Sequence, residues 1–306
     1  MFLFTSMKKA AKRTVRIVRK MRTGLRKLDN LEDIVSMAVR EEAVLQSLLQ
    51  NRPMVVPSGE ADLVVSLTTY GKRSYAVHLT IETLLNQTMR PKRVILWLDG
   101  SEFSDSSLPV PLRLQRERGL EIAYCHDVKS YKKLVPALAK HPDETIVTID
   151  DDILYPFDLI ESLYREHAKS PKQVLCTRCH RMIFDAGGKL KPYNEWRQES
   201  TDTEASPLLF PTGVGGVLYP PHCLHEDVSR EDLFMSLAPT ADDVWFKAMS
   251  LLRGTSCRRV KTCALLYSVR NQDIALQQEN VRRCGNDRQI KKVFDYYNLW
   301  GKLKGS

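Results

Sequence analysis

Three consecutive carboxylates, Asp150-Asp151-Asp152, follow the apolar and β-branched run Glu144 to Ile149 (ETIVTI). Three adjacent acids repel one another at neutral pH unless a cation or hydrogen-bond donors offset them. In an extended segment Asp150 and Asp152 project from one face, roughly 6–7 Å apart. That spacing suits one carboxylate on a divalent metal and the other on the metal's water or on a ribose hydroxyl. Hard oxygen ligands favour Mg²⁺ or Mn²⁺, with a diphosphate supplying further oxygens. The alternative is an acidic turn in which Asp151 or Asp152 caps a helix; the strand directly before it favours the ligand-binding reading. A second acidic pair, Asp242-Asp243, follows Thr240-Ala241 and opens a segment containing Val244, Trp245, Phe246 and Met249. Thr240 or Asp242 there suits a helix cap, the reading favoured when the pair is taken alone. The chemical alternative is a general base that takes a proton from an attacking hydroxyl. A third feature, Phe210-Pro211-Thr212-Gly213-Val214-Gly215-Gly216-Val217, lacks the Gly-Lys-Ser/Thr end of a phosphate-binding P-loop and the strand-Gly-helix context of a dinucleotide fingerprint. Its glycines allow a sugar or another stretch of backbone to come close.

These residues need a frame to hold them, and the pattern from Asp62 onward supplies one. Leu63 to Leu67 is a nearly continuous apolar run, as for a buried parallel strand. Tyr75 to Gln87 has helical period, Arg93 to Leu98 reads as a strand closed by Asp99-Gly100, and Leu112 to Arg118 as a helix before the strand Leu120 to Tyr124. Tyr131 to Ala139 is helical in period despite Pro136, and Glu144 to Ile149 forms a fourth strand. This alternation predicts an α/β fold with an open sheet and helices on both faces, and such sheets bind ligands beyond the carboxyl ends of their strands. Further on, 158–169 reads as a helix, 174–182 as a strand and 241–252 as a helix. Ala205 to His225 contains no charged Asp, Glu, Lys or Arg, and its four prolines and three glycines predict an irregular packed wall.

The chain has 306 residues and a net charge of +9, with 43% hydrophobic and 27% charged residues. That balance excludes a disordered chain or a multi-span membrane protein. Residues 1–30 hold ten Lys/Arg and one acid, so this arm accounts for the whole net charge and the remainder is neutral. A nucleic-acid reader would carry its positive field on the folded domain, so no nucleic-acid partner is expected. Apolar positions Met7, Ala11, Val15, Val18, Met21, Leu25 and Leu28 give the arm an amphipathic helical pattern suited to an anionic membrane surface; a solvated arm is the alternative. A second helical pattern spans 31–49, and 55–60 reads as a linker. The arm and linker (1–60) thus precede the α/β region (61–306), divided near residue 155. Seven cysteines, an odd number, and no recognisable secretory signal point to reduced thiols and a cytoplasmic location, peripheral at the inner face of the membrane.

The order of Val64 to Tyr70, Asp99-Gly100-Ser101, Ile149 to Asp152, the glycine segment and Ala241-Asp242-Asp243 resembles the GT-A-fold glycosyltransferases, in particular family-2-like bacterial enzymes of capsule and lipopolysaccharide assembly. The resemblance covers about residues 62–270. It implies a GT-A-like mixed sheet and a nucleotide-sugar donor, usually a UDP-sugar. The first half of the sheet would hold that donor, and a glycan or lipid-linked glycan would be the acceptor. Thr68 and Tyr70 match the first strand's nucleoside contacts, and Asp99 the acid that contacts the base. Asp150 and Asp152 match the Asp-x-Asp pair, for ribose and metal, with Asp151 between them in the donor-contact set. Asp243, with Asp242 beside it, matches the late acidic motif whose carboxylate is the base in inverting members, although the usual Glu-Asp is Asp-Asp here. Arg73 and Lys132 or Lys133 are diphosphate neighbours by chemistry. His180, His222 and His225 are candidates for a third metal ligand. Tyr193, Asn194, Glu195 and Trp196 form a polar-aromatic cluster that suits either a sugar face or an ordinary half-buried loop.

Other readings differ in class. Cys176-Thr177-Arg178-Cys179-His180 matches the c-type haem attachment pattern, but haem attachment requires export and the motif falls in an expected strand. A zinc site would have to recruit Cys223 and His225, a poor spacing. A phosphatase with an Asp nucleophile would want a small hydroxylated or β-branched residue where Leu154 stands. A membrane-surface scaffold leaves the acidic triplet without a role.

Overall fold

The computed structural model describes residues 34–35, 37–47, 60–261, 267–269 and 285–303. The basic arm (7–28) and most of the linker lie outside the described residues. The chain divides into two units, 1–46 and 47–306. In the first, residues 34–35 and 37–46 are helical, within the range expected for the second N-terminal helix.

The larger unit is built on a seven-stranded sheet of order β10-β6-β9-β4-β1-β2-β3. Its strands are β1 (Ala61–Thr68), β2 (Pro91–Asp99), β3 (Glu121–Cys125), β4 (Thr145–Thr148), β6 (Val174–Cys176), β9 (Val217–Tyr219) and β10 (Cys257–Arg259). β1 lies parallel to both β2 and β4, β2 parallel to β3, and β6 parallel to β10. Only β9 runs against its neighbours, pairing antiparallel with β4 and β6. The sequence-predicted α/β class with an open sheet is therefore the observed one, a mixed, mostly parallel sheet flanked by helices as in a GT-A-like fold.

Alternation along β1 explains why its apolar run is nearly continuous. Leu63, Val65 and Leu67 face one side, in a core with Val77, Ile81 and Leu84 of α1 (Val77–Leu85) and Leu112 of α2 (Val110–Glu117). Val64 faces the other side, in a core with Tyr131, Trp245 and Phe246. Both faces are covered, so both phases of the strand must be apolar. Burying each such side chain stabilises the fold by about 1.5–3 kcal/mol.

Three expectations are refined. The helix expected over 131–139 is a 3-10 turn, Lys129–Lys133, followed by α3 (Val135–Lys140), because Pro136 is tolerated only in a helix's first turn. The strand expected over 174–182 breaks at Thr177-Arg178 into β6 and β7 (Cys179–Arg181), and β7 leaves the main sheet to pair with β8 (Leu209–Pro211). The uncharged segment expected to be irregular carries β8 and β9, joined by a 3-10 turn at Gly213–Gly215. Helices α4 (Leu159–Lys169), α5 (Glu231–Leu237), α6 (Asp242–Arg253) and α7 (Gly285–Tyr296) complete the helical layers, and β5 (Ile153–Leu154) pairs with β11 (Tyr267–Ser268).

Candidate functional site

The parallel strands β1, β2 and β4 end together at one rim, and Asp150 stands two residues past β4. Because β9 is antiparallel, it starts at that rim: Thr148 pairs with Val217, and Tyr219 lies further back opposite Ile146. The glycine turn before β9 is thereby delivered to the acidic segment after β4. Tyr155 locks the two together, its hydroxyl accepting from the Asp150 amide at 2.8 Å and donating to the Val214 carbonyl at 3.1 Å.

Gly213 is the point of convergence. Its amide donates to both carboxylate oxygens of Asp243, at 3.1 and 3.2 Å. A Cβ placed on it would lie 2.6 Å from Lys133 Nζ, 3.1 Å from Asp243 Oδ1 and 3.3 Å from Asp150 Oδ1. Lys133 bridges the early and late acids, with Nζ 2.9 Å from Asp150 Oδ1 and 2.9 Å from Asp242 Oδ2. Its backbone is fixed from below: the Ser66 hydroxyl of β1 donates to the Lys133 carbonyl at 2.6 Å and accepts from Trp97 Nε1 at 3.0 Å. Burial alone would lower the Lys133 ammonium, but Asp150, Asp242 and Asp243 outweigh it and hold it well above its ordinary range.

The cap reading of Asp242-Asp243 is corrected. The two acids are the first residues of α6, Ala241 occupies the N-cap, and no side chain caps the helix. Asp242 instead accepts from the Ser130 hydroxyl at 2.9 Å, and Asp243 turns to Gly213. Burial first, and then the charge of Asp242, push the Asp243 carboxyl up to about 7. A carboxylate so poised accepts a proton near neutral pH.

The extended geometry expected for Asp150 to Asp152 is also corrected, because the chain turns at Asp151 and Asp152. Asp151 points inward, 7% exposed, accepting from Thr69 Oγ1 at 2.6 Å and lying 3.3 Å from Arg73. Burial raises its carboxyl against the opposing pull of Arg73. It organises the turn instead of presenting a ligand-facing edge. Asp152 pairs directly with Arg73, and its carbonyl accepts from Val269 at 2.8 Å, just beyond β11. Neither acid caps a helix; Asp158 holds the position before α4.

The remaining candidates divide between this rim and other places. Tyr70 is 39% exposed with the Arg73 guanidinium 5.4 Å from its ring centroid. Thr68 donates to the Trp97 carbonyl at 2.8 Å, and Asp99 holds the Ser101 amide and hydroxyl in the turn after β2. Lys132 pairs with Asp127 and not with the acidic triplet, so Lys133 is the one of the two that joins the site. His222 pairs with Asp143, His225 caps the turn at Glu226–Ser229, and His180 accepts from the Glu199 amide. Tyr193 and Trp196 are buried against Phe210 and His180. They pack as core and offer no open stacking face. Cys176 and Cys179 are buried in β6 and β7, closed to haem attachment. Sequence reasoning missed the Tyr155 lock and the Ser130 and Ser66 contacts, since lone hydroxyls carry no spacing signal.

Among the described residues no three His, Cys, Asp or Glu side chains form a ready-made metal cage. The donor chemistry nevertheless fits a hard divalent cation. Five carboxylates share this rim with two cations, Arg73 and Lys133, and Asp150 and Asp152 remain partly exposed. Mg²⁺ is commonly held by one or two carboxylates, with phosphate and water completing the shell.

Neither a family model nor a curated protein matches the chain. Among solved structures it is similar to S. aureus TarS 1-349, at 13% identity and a TM-score of 0.45, over 68% of this chain and 60% of that one. The chain thus spans 60% of the matched structure's length. No helix among the described residues is long and apolar enough to cross a membrane.

Proposed function

We propose that the chain is a glycosyltransferase that moves a sugar from a nucleotide-sugar, a UDP-sugar in the first instance, to a glycan hydroxyl with inversion. The reading is carried by the meeting of Asp150, Lys133 and Asp243 around Gly213, at the carboxyl rim of a mostly parallel sheet. Nucleoside groups of the donor would lie over the ends of β1 and β2, near Thr68, Tyr70 and Asp99. Its diphosphate would lie between Arg73 and Lys133, whose charges oppose those developing on the leaving group. Asp150 and Asp152 would hold a divalent cation, which supplies Lewis-acid stabilisation of the leaving diphosphate.

Asp243 acts on the acceptor. Its carboxylate takes the hydroxyl proton while the acceptor oxygen bonds to the anomeric carbon. The anomeric carbon–oxygen bond breaks and its electron pair leaves on the diphosphate. The Gly213 amide fixes the orientation of that carboxylate, and burial raises its proton affinity.

The test is a thermal-shift screen of nucleotide-sugars with Mn²⁺ or Mg²⁺, followed by release of nucleoside diphosphate in the presence of glycan acceptors. A donor that binds the native form raises Tm by mass action, and Asp152→Ala should abolish the metal-dependent part of the shift. Absence of any donor-dependent shift or nucleoside-diphosphate release across UDP-, GDP-, ADP- and dTDP-linked sugars would refute the proposal. Release of inorganic phosphate from simple phosphomonoesters would favour the phosphatase class instead.

A further inference from the structure

Behind Asp243 lies a small cavity bounded by Val174, Pro211, Tyr219, Phe246, Lys247 and Ser250 as well as Asp243 itself. Asp243 and Lys247 are four residues apart on α6 and so lie on one face of the helix. Lys247 is 2% exposed, and its ammonium has no hydrogen-bond partner among the described residues. A buried ammonium carries three donors and a large desolvation penalty, so leaving it bare is costly. Burial pushes Lys247 down to about 8, opposed only by the thiols of Cys257, Cys176 and Cys179.

These thiols give the ammonium no disulfide-forming neighbour to serve. Cys176 Sγ lies 3.7 Å from Cys257 Sγ, but on the paired strands Cys257 is opposite Val174, two positions away from Cys176. A two-residue offset between neighbouring strands separates the Cα atoms by roughly 8 Å, beyond disulfide reach. The cavity is the remaining outlet. It has room for about one water, and an internal water needs two to four polar partners. Lys247, Asp243, Tyr219 and Ser250 are the polar residues of its lining, and the Ser250 hydroxyl already donates to the Lys247 carbonyl at 2.8 Å, which leaves Lys247, Asp243 and Tyr219 to hold a water.

We propose that Lys247 is a positioning residue: its ammonium holds one internal water in this cavity, and that water donates a hydrogen bond to the Asp243 carboxylate. Asp243 is then held by the Gly213 amide and by the Lys247-bound water, which together restrict its rotation. The inference rests on the reading of Asp243 as the base, but the water itself does not.

Two measurements test it on the full chain. A high-resolution crystal structure should show a water within hydrogen-bond distance of both Lys247 Nζ and Asp243. A dry cavity, or Nζ seated on a cysteine sulfur with no water reaching Asp243, overturns the proposal. In kinetics, Lys247→Met should lower kcat by about tenfold, the worth of one water-mediated hydrogen bond at the barrier, with the donor KM unchanged. Lys247→Gln, whose amide can still hold the water, should recover most of that loss. Equal losses in both variants, or a loss confined to KM, would count against it. A water in place with no sugar transfer would sink the assigned reaction and leave only the Lys247–water–Asp243 contact standing; transfer without the water would sink the positioning role and leave the reaction standing.

Discussion

Adding one methyl group at residue 213 tests the assembly of the whole site. In Gly213→Ala the new Cβ would meet Lys133 Nζ at 2.6 Å, where ordinary contact begins at 3.4 Å. The ammonium would have to retreat by about 0.8 Å. It is buried and tied to Asp150 and Asp242 at 2.9 Å each, so a retreat of that size can stretch these contacts beyond hydrogen-bond distance. The Asp243 oxygen at 3.1 Å and the Asp150 oxygen at 3.3 Å must also give by a few tenths of an ångström. Overpacking of this kind costs about 1–3 kcal/mol, a fall in Tm of about 2–5 °C for a chain of this size. Activity should fall further, by about a hundredfold, since an ångström of misplacement in a reacting constellation costs that much. The assay is nucleoside-diphosphate release at saturating donor, with Tm measured alongside. Gly301→Ala, where an added Cβ meets nothing within 4 Å, is the matched control and should match the wild type in both. If Gly213→Ala keeps the wild-type Tm and turnover within twofold, the convergence of Lys133, Asp150 and Asp243 on this residue is not what holds the site.

Three further outcomes follow from the same geometry. Asp243→Asn should bind donor and lose transfer, while the wild type should lose transfer as pH falls through about 7 and the carboxylate is protonated. The folded carboxyl is raised from 3.8 to about 7, so the cost of ionising it inside the fold grows across that interval and is complete above it; the gain in Tm from Asp243→Asn should therefore be larger at pH 8.5 than at pH 5. Lys133→Met removes the cation between Asp150 and Asp242 and should cost about 3–5 kcal/mol at pH 8, less in acid where the carboxylates take up protons, as urea unfolding at the two pH values would show. Deleting residues 1–30, which carry the whole net charge, should abolish sedimentation with phosphatidylserine vesicles and leave turnover of a soluble acceptor intact; equal sedimentation by both forms would remove the membrane role of the arm.

The sheet was legible because β1, β2 and β4 are buried on both faces and must be apolar throughout. The acids at its rim were legible because three adjacent carboxylates after such a strand have few structural uses. What was hidden depended on long-range partners. Whether Asp242-Asp243 caps its own helix is decided by Gly213 and Ser130, thirty and more than a hundred residues away. The choice between Lys132 and Lys133 turns on the phase of a 3-10 turn that ends before α3, whose first turn holds Pro136, and helical periodicity does not supply that phase. Tyr193 and Trp196 read as a sugar platform because their composition suits one; packing against Phe210 buries their rings. The break at Thr177-Arg178 was invisible because both halves are β-prone and only the switch of sheets separates them.

The reversed direction of β9 has an architectural consequence. A strand entering from the rim needs no covering helix to return it there, unlike a strand that continues the parallel set. The stretch from Thr177 to Thr212 can therefore lengthen or shorten as a rim insertion while β4, β9 and β6 keep their pairing. In such a design that part of the rim is free to be remodelled, while the strands that place Asp150 and Gly213 stay as they were.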